Sequence, residues 1–328
     1  MSEPLPLVGH DDLVADFLGA LRQNRMHHAW LLTGEQGIGK ALFAHHAAAL
    51  LLSPTLPSMM QETFRQALTL PAARQMLQGS HPDFRTLTPA EGKASGAITV
   101  EQVRGLSSLF QTTAGMGGWR AAIIDAADDM NRAAANAILK ILEEPPPQSV
   151  FFLVSHAPGK LLPTIRSRCR QLSFQPLPHA ELESVLTQAA PDALDDVAAL
   201  LPFAQGSPGR ALAYLDANAL DYAAAIERLF ESLPSIDQTS LLGLADQIGD
   251  RAGSPTFKIC WQLLQDLSAN AVFRSTQQAG TFQGIPTKAW LDFADGLSST
   301  KAQIEALNLS PRQCLISLFS ALANAKAA

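Results

Sequence analysis

The chain has 328 residues, 47% of them hydrophobic, and a formal net charge of −6. That much apolar material excludes wholesale disorder and supplies cores for two or three domains. The acidic balance excludes a chain wrapped in nucleic acid over its whole surface, although it leaves room for a local basic patch.

Cys169, Cys260 and Cys314 stand far apart with no C-x-x-C. Neither a zinc knuckle nor a disulfide framework is supported, and idle thiols in a reducing cytosol are expected. The start, Met1-Ser2-Glu3-Pro4, lacks the basic and apolar regions of a signal peptide. Runs such as Ala47 to Leu52 are too short to span a bilayer. A soluble cytoplasmic protein is expected.

In chain order, His27 to Thr33 reads as a buried strand. It enters Gly34-Glu35-Gln36-Gly37-Ile38-Gly39-Lys40-Ala41, the G-x-x-x-x-G-K-[ST] pattern with Ala41 where a hydroxyl belongs. Ala41 to Leu52, rich in Ala and Leu, reads as a helix, so the loop has the strand–turn–helix context its chemistry requires. Residues 53–80 hold scattered prolines and no clear strand, and read as a helical or irregular insertion. Thr99 and Gln102 form a capping box ahead of a helix with Val103, Leu106 and Phe110 on one face. Trp119 to Asp125 is the next strand.

Asn131 caps a helix whose Ala135, Ile138, Leu139 and Leu142 follow one face. Pro145-Pro146-Pro147 stop it near Glu144, because proline cannot continue the hydrogen-bond ladder. Ser149 to Ser155 is a further buried strand. Strands alternating with helices imply an α/β fold, a mostly parallel sheet covered on both faces.

The pattern changes after Phe174, where Pro176 and Pro178 mark a boundary. Residues 179 to about 215 read as short helices, with Gly206-Ser207-Pro208-Gly209-Arg210 between two of them. From roughly 235 onward the chain is again helical, and its last helix starts at Ser310 with Pro311 in the first turn and Gln313 at the third position. Three domains are expected, at 1–175, 176–234 and 235–328.

The backbone amides from Gly34 through Gly37 and Gly39 to Lys40 suit anionic oxygens, and Lys40 suits the β and γ phosphates of a nucleotide. Ala41 cannot give Mg²⁺ the usual hydroxyl. Asp125 is the strand-end carboxylate that would orient the metal and its water, but Ala126 follows where a general base is expected. General-base help is worth about 10²–10⁴ in rate. Asp128 is a substitute only if it points inward. Weaker metal binding is therefore expected; binding of ATP or ADP with Mg²⁺ stays open, while Ala41 and Ala126 argue against turnover.

Arg166, Arg168 and Arg170 alternate along one segment, either as a solvated basic edge or as the source of an arginine for a phosphate. Arg210 sits in a turn that opens a helix, to contact a phosphate or simply to lie exposed. His45, His46 and His156 read as ordinary surface or core histidines.

The run Asn131-Arg132-Ala133-Ala134-Ala135-Asn136-Ala137-Ile138-Leu139-Lys140-Ile141-Leu142-Glu143-Glu144-Pro145-Pro146 resembles the signature of bacterial clamp loaders, as does Leu161-Leu162-Pro163-Thr164-Ile165-Arg166-Ser167-Arg168-Cys169. Leu7-Val8-Gly9-His10, His28-Ala29-Trp30-Leu31-Leu32 and His81-Pro82-Asp83-Phe84 match too, and Leu307 to Gln313 does so weakly. On these motifs the chain is similar to the delta-prime branch of the AAA+ clamp-loader family of DNA polymerase III. The resemblance implies an AAA+ P-loop domain, a small helical lid and an all-helical C-terminal collar. It implies partnership with delta and gamma/tau subunits, and through the assembled loader with the beta sliding clamp and primer-template DNA. It also implies a rigid stator whose Arg168 faces the ATP of a neighbouring gamma/tau subunit. Many relatives carry a four-cysteine zinc module after the first helix; residues 50–80 hold no cysteine here, so zinc is not carried over.

Two other functions compete. An active motor of gamma/tau type would carry Ser or Thr after Lys40 and Glu after Asp125, and neither is present. A direct DNA-binding module is disfavoured by the acidic balance and the lack of an aromatic-basic stripe.

Overall fold

The computed structural model describes residues 7–53, 60–89, 97–111, 118–251, 254–278 and 280–325. The expectation about the first four residues and the stretch 54–59 of the expected insertion lie outside the described residues. Two compact units are present, one of residues 1–191 with 205–210, the other of residues 192–204 with 211–328.

The first unit runs α1 (Asp11–Arg22), β1 (Ala29–Thr33), α2 (Lys40–Leu51), α3 (Met60–Arg65), α4 (Pro71–Leu77), β2 (Phe84–Leu87), α5 (Val100–Gln111), β3 (Arg120–Asp125), α6 (Arg132–Glu143), β4 (Ser149–Ser155), α7 (Pro163–Arg166), β5 (Arg170–Ser173) and α8 (His179–Ala189). Its five strands pair in the order β2-β3-β4-β1-β5, every neighbour parallel. Central strands β1 and β4 are buried at every residue. This explains why they read as unbroken apolar runs instead of alternating ones.

The pleat still sorts their side chains. Trp30, Leu32, Phe152 and Val154 pack with Phe17 of α1 and Phe43 of α2, while Leu31, Phe151 and Leu153 pack with Leu106 of α5 and Ile138 and Leu142 of α6. Helices thus cover both faces of a doubly wound sheet. The Gly-rich loop follows central β1 into α2, the P-loop arrangement expected from the sequence. Strands β2 and β5 escaped that reading. Both are four residues long with exposed positions, too short to carry a period.

The predicted caps form. Asn131 Oδ1 accepts from Ala134 N at 2.8 Å. Thr99 and Gln102 close their box, with Thr99 N donating to Gln102 Oε1 at 2.8 Å. These side chains satisfy amides that the first helical turn leaves without partners.

The second unit is helical: α9 (Leu194–Ala204), α10 (Pro208–Asp216, which begins in the first unit), α11 (Ala219–Ser232), α12 (Gln238–Ile248), α13 (Pro255–Gln277), α14 (Thr287–Leu307) and α15 (Pro311–Asn324). Its core gathers Trp261, Trp290, Phe257, Phe293 and Phe319. Ser310 Oγ accepts from Gln313 N at 3.3 Å, as the capping pattern predicts. It also contains a small hairpin, β6 (Thr281–Phe282) with β7 (Ile285–Pro286). The hairpin turns through Gln283 and Gly284 at φ 52° and 69°. Two consecutive positive φ values fit the right-handed twist of paired strands. No described helix is long and apolar enough to cross a membrane.

Candidate functional site

Three parallel strands release their chains at one edge of the sheet. β1 opens into the loop, β3 ends at Asp125 and β4 is followed by His156. Lys40, Ala41, Asp125 and His156 line a cavity of about 580 Å³, with Leu7, Val8, Leu177 and Val185 on its apolar side. In open parallel sheets this carboxyl edge is where ligands collect.

The loop backbone can follow its path only with glycine. Gly34 has φ 139°, and a Cβ there would lie 2.6 Å from the Phe174 carbonyl oxygen. Gly37 has φ 80°, and a Cβ would lie 2.5 Å from Ser207 Oγ and 3.1 Å from Gly209 Cα. The loop is therefore pressed against the segment that opens α10. Gly209 N donates to Gly37 O at 2.9 Å, and Ser207 Oγ donates to Gln36 O at 2.8 Å. Arg210 completes the fastening, with Nη2 3.3 Å from Glu35 Oε2 and Nη1 2.9 Å from Gln205 Oε1. Arg210 is thus neither free in solvent nor part of the cavity wall; it braces the loop from outside.

The cavity's polar groups largely serve the chain itself. Lys40, 3% exposed, donates from Nζ to Gly34 O at 2.6 Å and to Glu35 O. Burial lowers its ammonium to about 8, against the opposing pull of Asp125, Asp128 and Glu35. Burial raises the Asp125 carboxyl above its ordinary value, against His156, His45 and Lys40. Ala126 is buried and offers no carboxylate.

The Asp128 carboxylate is engaged beside the cavity. A 3₁₀ turn over Ala127–Asp129 directs its carboxylate to the start of the loop after β4. There it accepts from Ser155 Oγ, from His156 N at 2.6 Å and from Ala157 N at 3.1 Å.

Two histidines read as ordinary line the cavity. His45 lies one turn beyond Ala41 on α2 and donates from Nδ1 to Ala41 O at 2.8 Å. Its i+4 spacing from Ala41 was the available signal. His156 could have been found from its place directly after β4; burial and the Lys40 charge lower its pKa. His46 is a core residue, 1% exposed. Among the described residues no group of three or more His, Cys, Asp or Glu is arranged to hold a metal ion. The cavity's size, apolar wall and glycine cradle fit a nucleotide, and Asp125 is the one carboxylate among the described residues that line it.

The second predicted site lies elsewhere. β5 pairs with β1 in parallel, Trp30 beside Arg170 and Thr33 beside Ser173. Arg168 precedes β5, while the loop follows β1, so the two occupy opposite edges of the sheet. From Arg170, the first residue of β5, to the level of Gly34 the strands alone rise about 13 Å. The three alternating arginines part company here. Arg170 reaches Asp16 and stacks over Trp30, 4.9 Å from the ring centroid. Arg166 ends α7 and is exposed. Arg168 Nη2 lies 2.9 Å from Glu143 Oε1, and its Nη1 donates to Thr164 O at 3.1 Å.

The comparisons with known proteins fit this geometry. The family described as "DNA polymerase III, delta subunit" matches residues 9–178, more than half of the chain. The chain belongs to this family. It is 42% identical to DNA polymerase III subunit delta' of Pseudomonas aeruginosa over 188 residues, 55% of this chain and 53% of that protein. It is 33% identical to DNA polymerase III subunit delta' of Escherichia coli over 233 residues, 71% of this chain and 66% of that protein. It is also 30% identical to DNA polymerase III subunit tau/gamma of Haemophilus influenzae over 186 residues, 56% of this chain and 26% of that protein. The chain therefore spans between half and two thirds of the delta' relatives named here. The family match covers the whole doubly wound sheet, both the loop edge and the Arg168 edge.

Proposed function

We propose that this chain is the stator subunit of a bacterial clamp loader, helping to place the beta sliding clamp on primed DNA. In this reading it joins delta and gamma/tau subunits in the cytoplasm. Residues 1–175 act as the AAA+ body, 176–234 as the lid and 235–328 as the collar through which subunits assemble. Arg168 is donated to the ATP of a neighbouring gamma/tau subunit. The observation that carries the reading is its place on the sheet edge opposite the chain's own loop, where it cannot serve its own cavity.

Guanidinium suits the task because it stays charged and presents several donors in one plane. When water attacks the γ-phosphorus and the bond to the β–γ bridging oxygen breaks, negative charge builds on the phosphoryl oxygens. An arginine supplied in trans stabilises that charge by about 10³–10⁵ in rate.

The chain's own cavity, in this reading, holds ATP or ADP without turnover. Gly34, Gly37, Gly39 and Lys40 receive the phosphates, Asp125 gives a bound Mg²⁺ its remaining carboxylate, and Arg210 steadies the loop. Ala41, Ala126 and the committed Asp128 weigh against the motor alternative. The test combines calorimetric titration of the purified chain with ATP and Mg²⁺ and a reconstituted loader assay. Binding or its absence is compatible with the stator, provided that the isolated chain does not turn ATP over. Steady turnover abolished by Lys40→Ala would overturn it, as would normal loading by Arg168→Ala.

A further inference from the structure

The proposed stator reading gives no task to Glu143 of the signature run. Glu143 is the last residue of α6, and the prolines at 145–147 end the helix just beyond it. A carboxylate at this end faces the partial negative charge of the unpaired carbonyls, so the helix itself disfavours it. Its nearest opposite charge is Arg168, with Nη2 2.9 Å from Oε1.

We propose that Glu143 is the positioning residue of Arg168, holding the guanidinium in the direction from which it meets a neighbour's triphosphate. The proposal rests on the trans-arginine reading. An arginine side chain has many rotamers, and each one that points away from the phosphate must be given up when the partner reacts. Here two anchors restrict it before that moment. Glu143 takes Nη2, and the Thr164 carbonyl takes Nη1. The guanidinium has five donors, so others remain for phosphate oxygens.

The supports on either side are firm. Ile165 is fully buried, and Cys169, directly after the arginine, packs against the same core. Leu142, beside Glu143, is also buried. Fixed backbones therefore carry both charged groups, while the Arg168 side chain stays 36% exposed and Glu143 51%. A pair this exposed adds little to folding. Its effect is expected in the chemistry of the partner, which separates positioning from a purely structural role.

The experiment uses the loader reconstituted from delta, gamma/tau and this chain, with clamp and primed DNA. Steady-state ATPase is measured for Glu143→Ala, Glu143→Gln, Arg168→Ala and the double variant, with assembly and melting temperature checked alongside. Expected for Glu143→Ala is a fall in kcat of about tenfold, with KM for ATP, assembly and melting unchanged. Glu143→Gln, which keeps an acceptor oxygen, should recover most of the rate. Glu143→Ala added to Arg168→Ala should cause no further loss. If Arg168→Ala impairs the loader but Glu143→Ala leaves kcat within about twofold, positioning is overturned and the stator reading stands. If the two losses multiply, Glu143 acts by another route and the proposal again falls. If Arg168→Ala has no effect, the trans-arginine reading fails and takes this one with it.

Discussion

The two edges of the parallel sheet in the first unit show what a nucleotide fold can lose and what it keeps. At the loop edge the cradle persists, but its polar groups are turned to internal use. Lys40 binds the carbonyls of its own loop, Asp128 holds the turn after β4, and Arg210 ties Glu35 to Gln205. At the opposite edge Arg168 remains partly exposed and is braced by one carboxylate and one carbonyl. The first edge is tied into its own structure, and the second presents the charge that we propose is donated.

The sharpest way to break this contrast is at the outward edge. Arg168→Ala should slow hydrolysis at the ATP site facing this chain by about 10³, read from loader ATPase and clamp-loading rates. The isolated chain should melt unchanged. A loader that works normally without this guanidinium would leave the two edges equivalent.

The loop edge should answer in stability instead. Gly37→Ala forces a side chain into the left-handed region and against Ser207 Oγ, so a loss of about 1–3 kcal/mol is expected in denaturant unfolding. An unchanged midpoint would mean that the loop is not clasped by the segment opening α10.

Behind that edge, His46 is expected to make the fold acid-sensitive. Its Nδ1 donates to Phe64 O at 2.7 Å, and burial lowers its pKa from 6.5 to about 4. The unfolded chain therefore binds the proton more readily. The stability this histidine contributes is fully present above pH 6.5 and is lost as pH falls towards 4. Between pH 7 and pH 5 about 1–2 kcal/mol should be lost through this group. His46→Leu should flatten that part of the profile; an equally steep one would assign the sensitivity to other buried histidines.

The smallest effect is expected at Lys40. Lys40→Ala should leave ATPase of the reconstituted loader within about twofold if, as proposed, the chemistry belongs to the neighbour. A large loss would return catalytic weight to the loop edge.

Much of this was legible in the chain. The buried runs of β1, β3 and β4, the caps at Thr99, Asn131 and Ser310, and the stop at Pro145 are local signals read over a few residues. Strands β2 and β5 were not, because four half-exposed residues become strands only by pairing with neighbours already in place. The roles of Asp128 and Ser207 were likewise hidden, since each depends on a turn direction that local sequence leaves open.

By itself the sequence determined which atoms are available: a glycine cradle with a lysine, an alanine in place of the metal's hydroxyl, another in place of the base, and an arginine after α7. Tertiary structure decided where those atoms point. Parallel pairing of β1 with β5 sent Arg168 to the edge away from its own loop, and the 3₁₀ turn after β3 removed Asp128 from the cavity. The physical reason is range. Residue identity fixes charge and hydrogen-bonding capacity locally, whereas direction comes from strand pairing and packing between segments far apart in sequence.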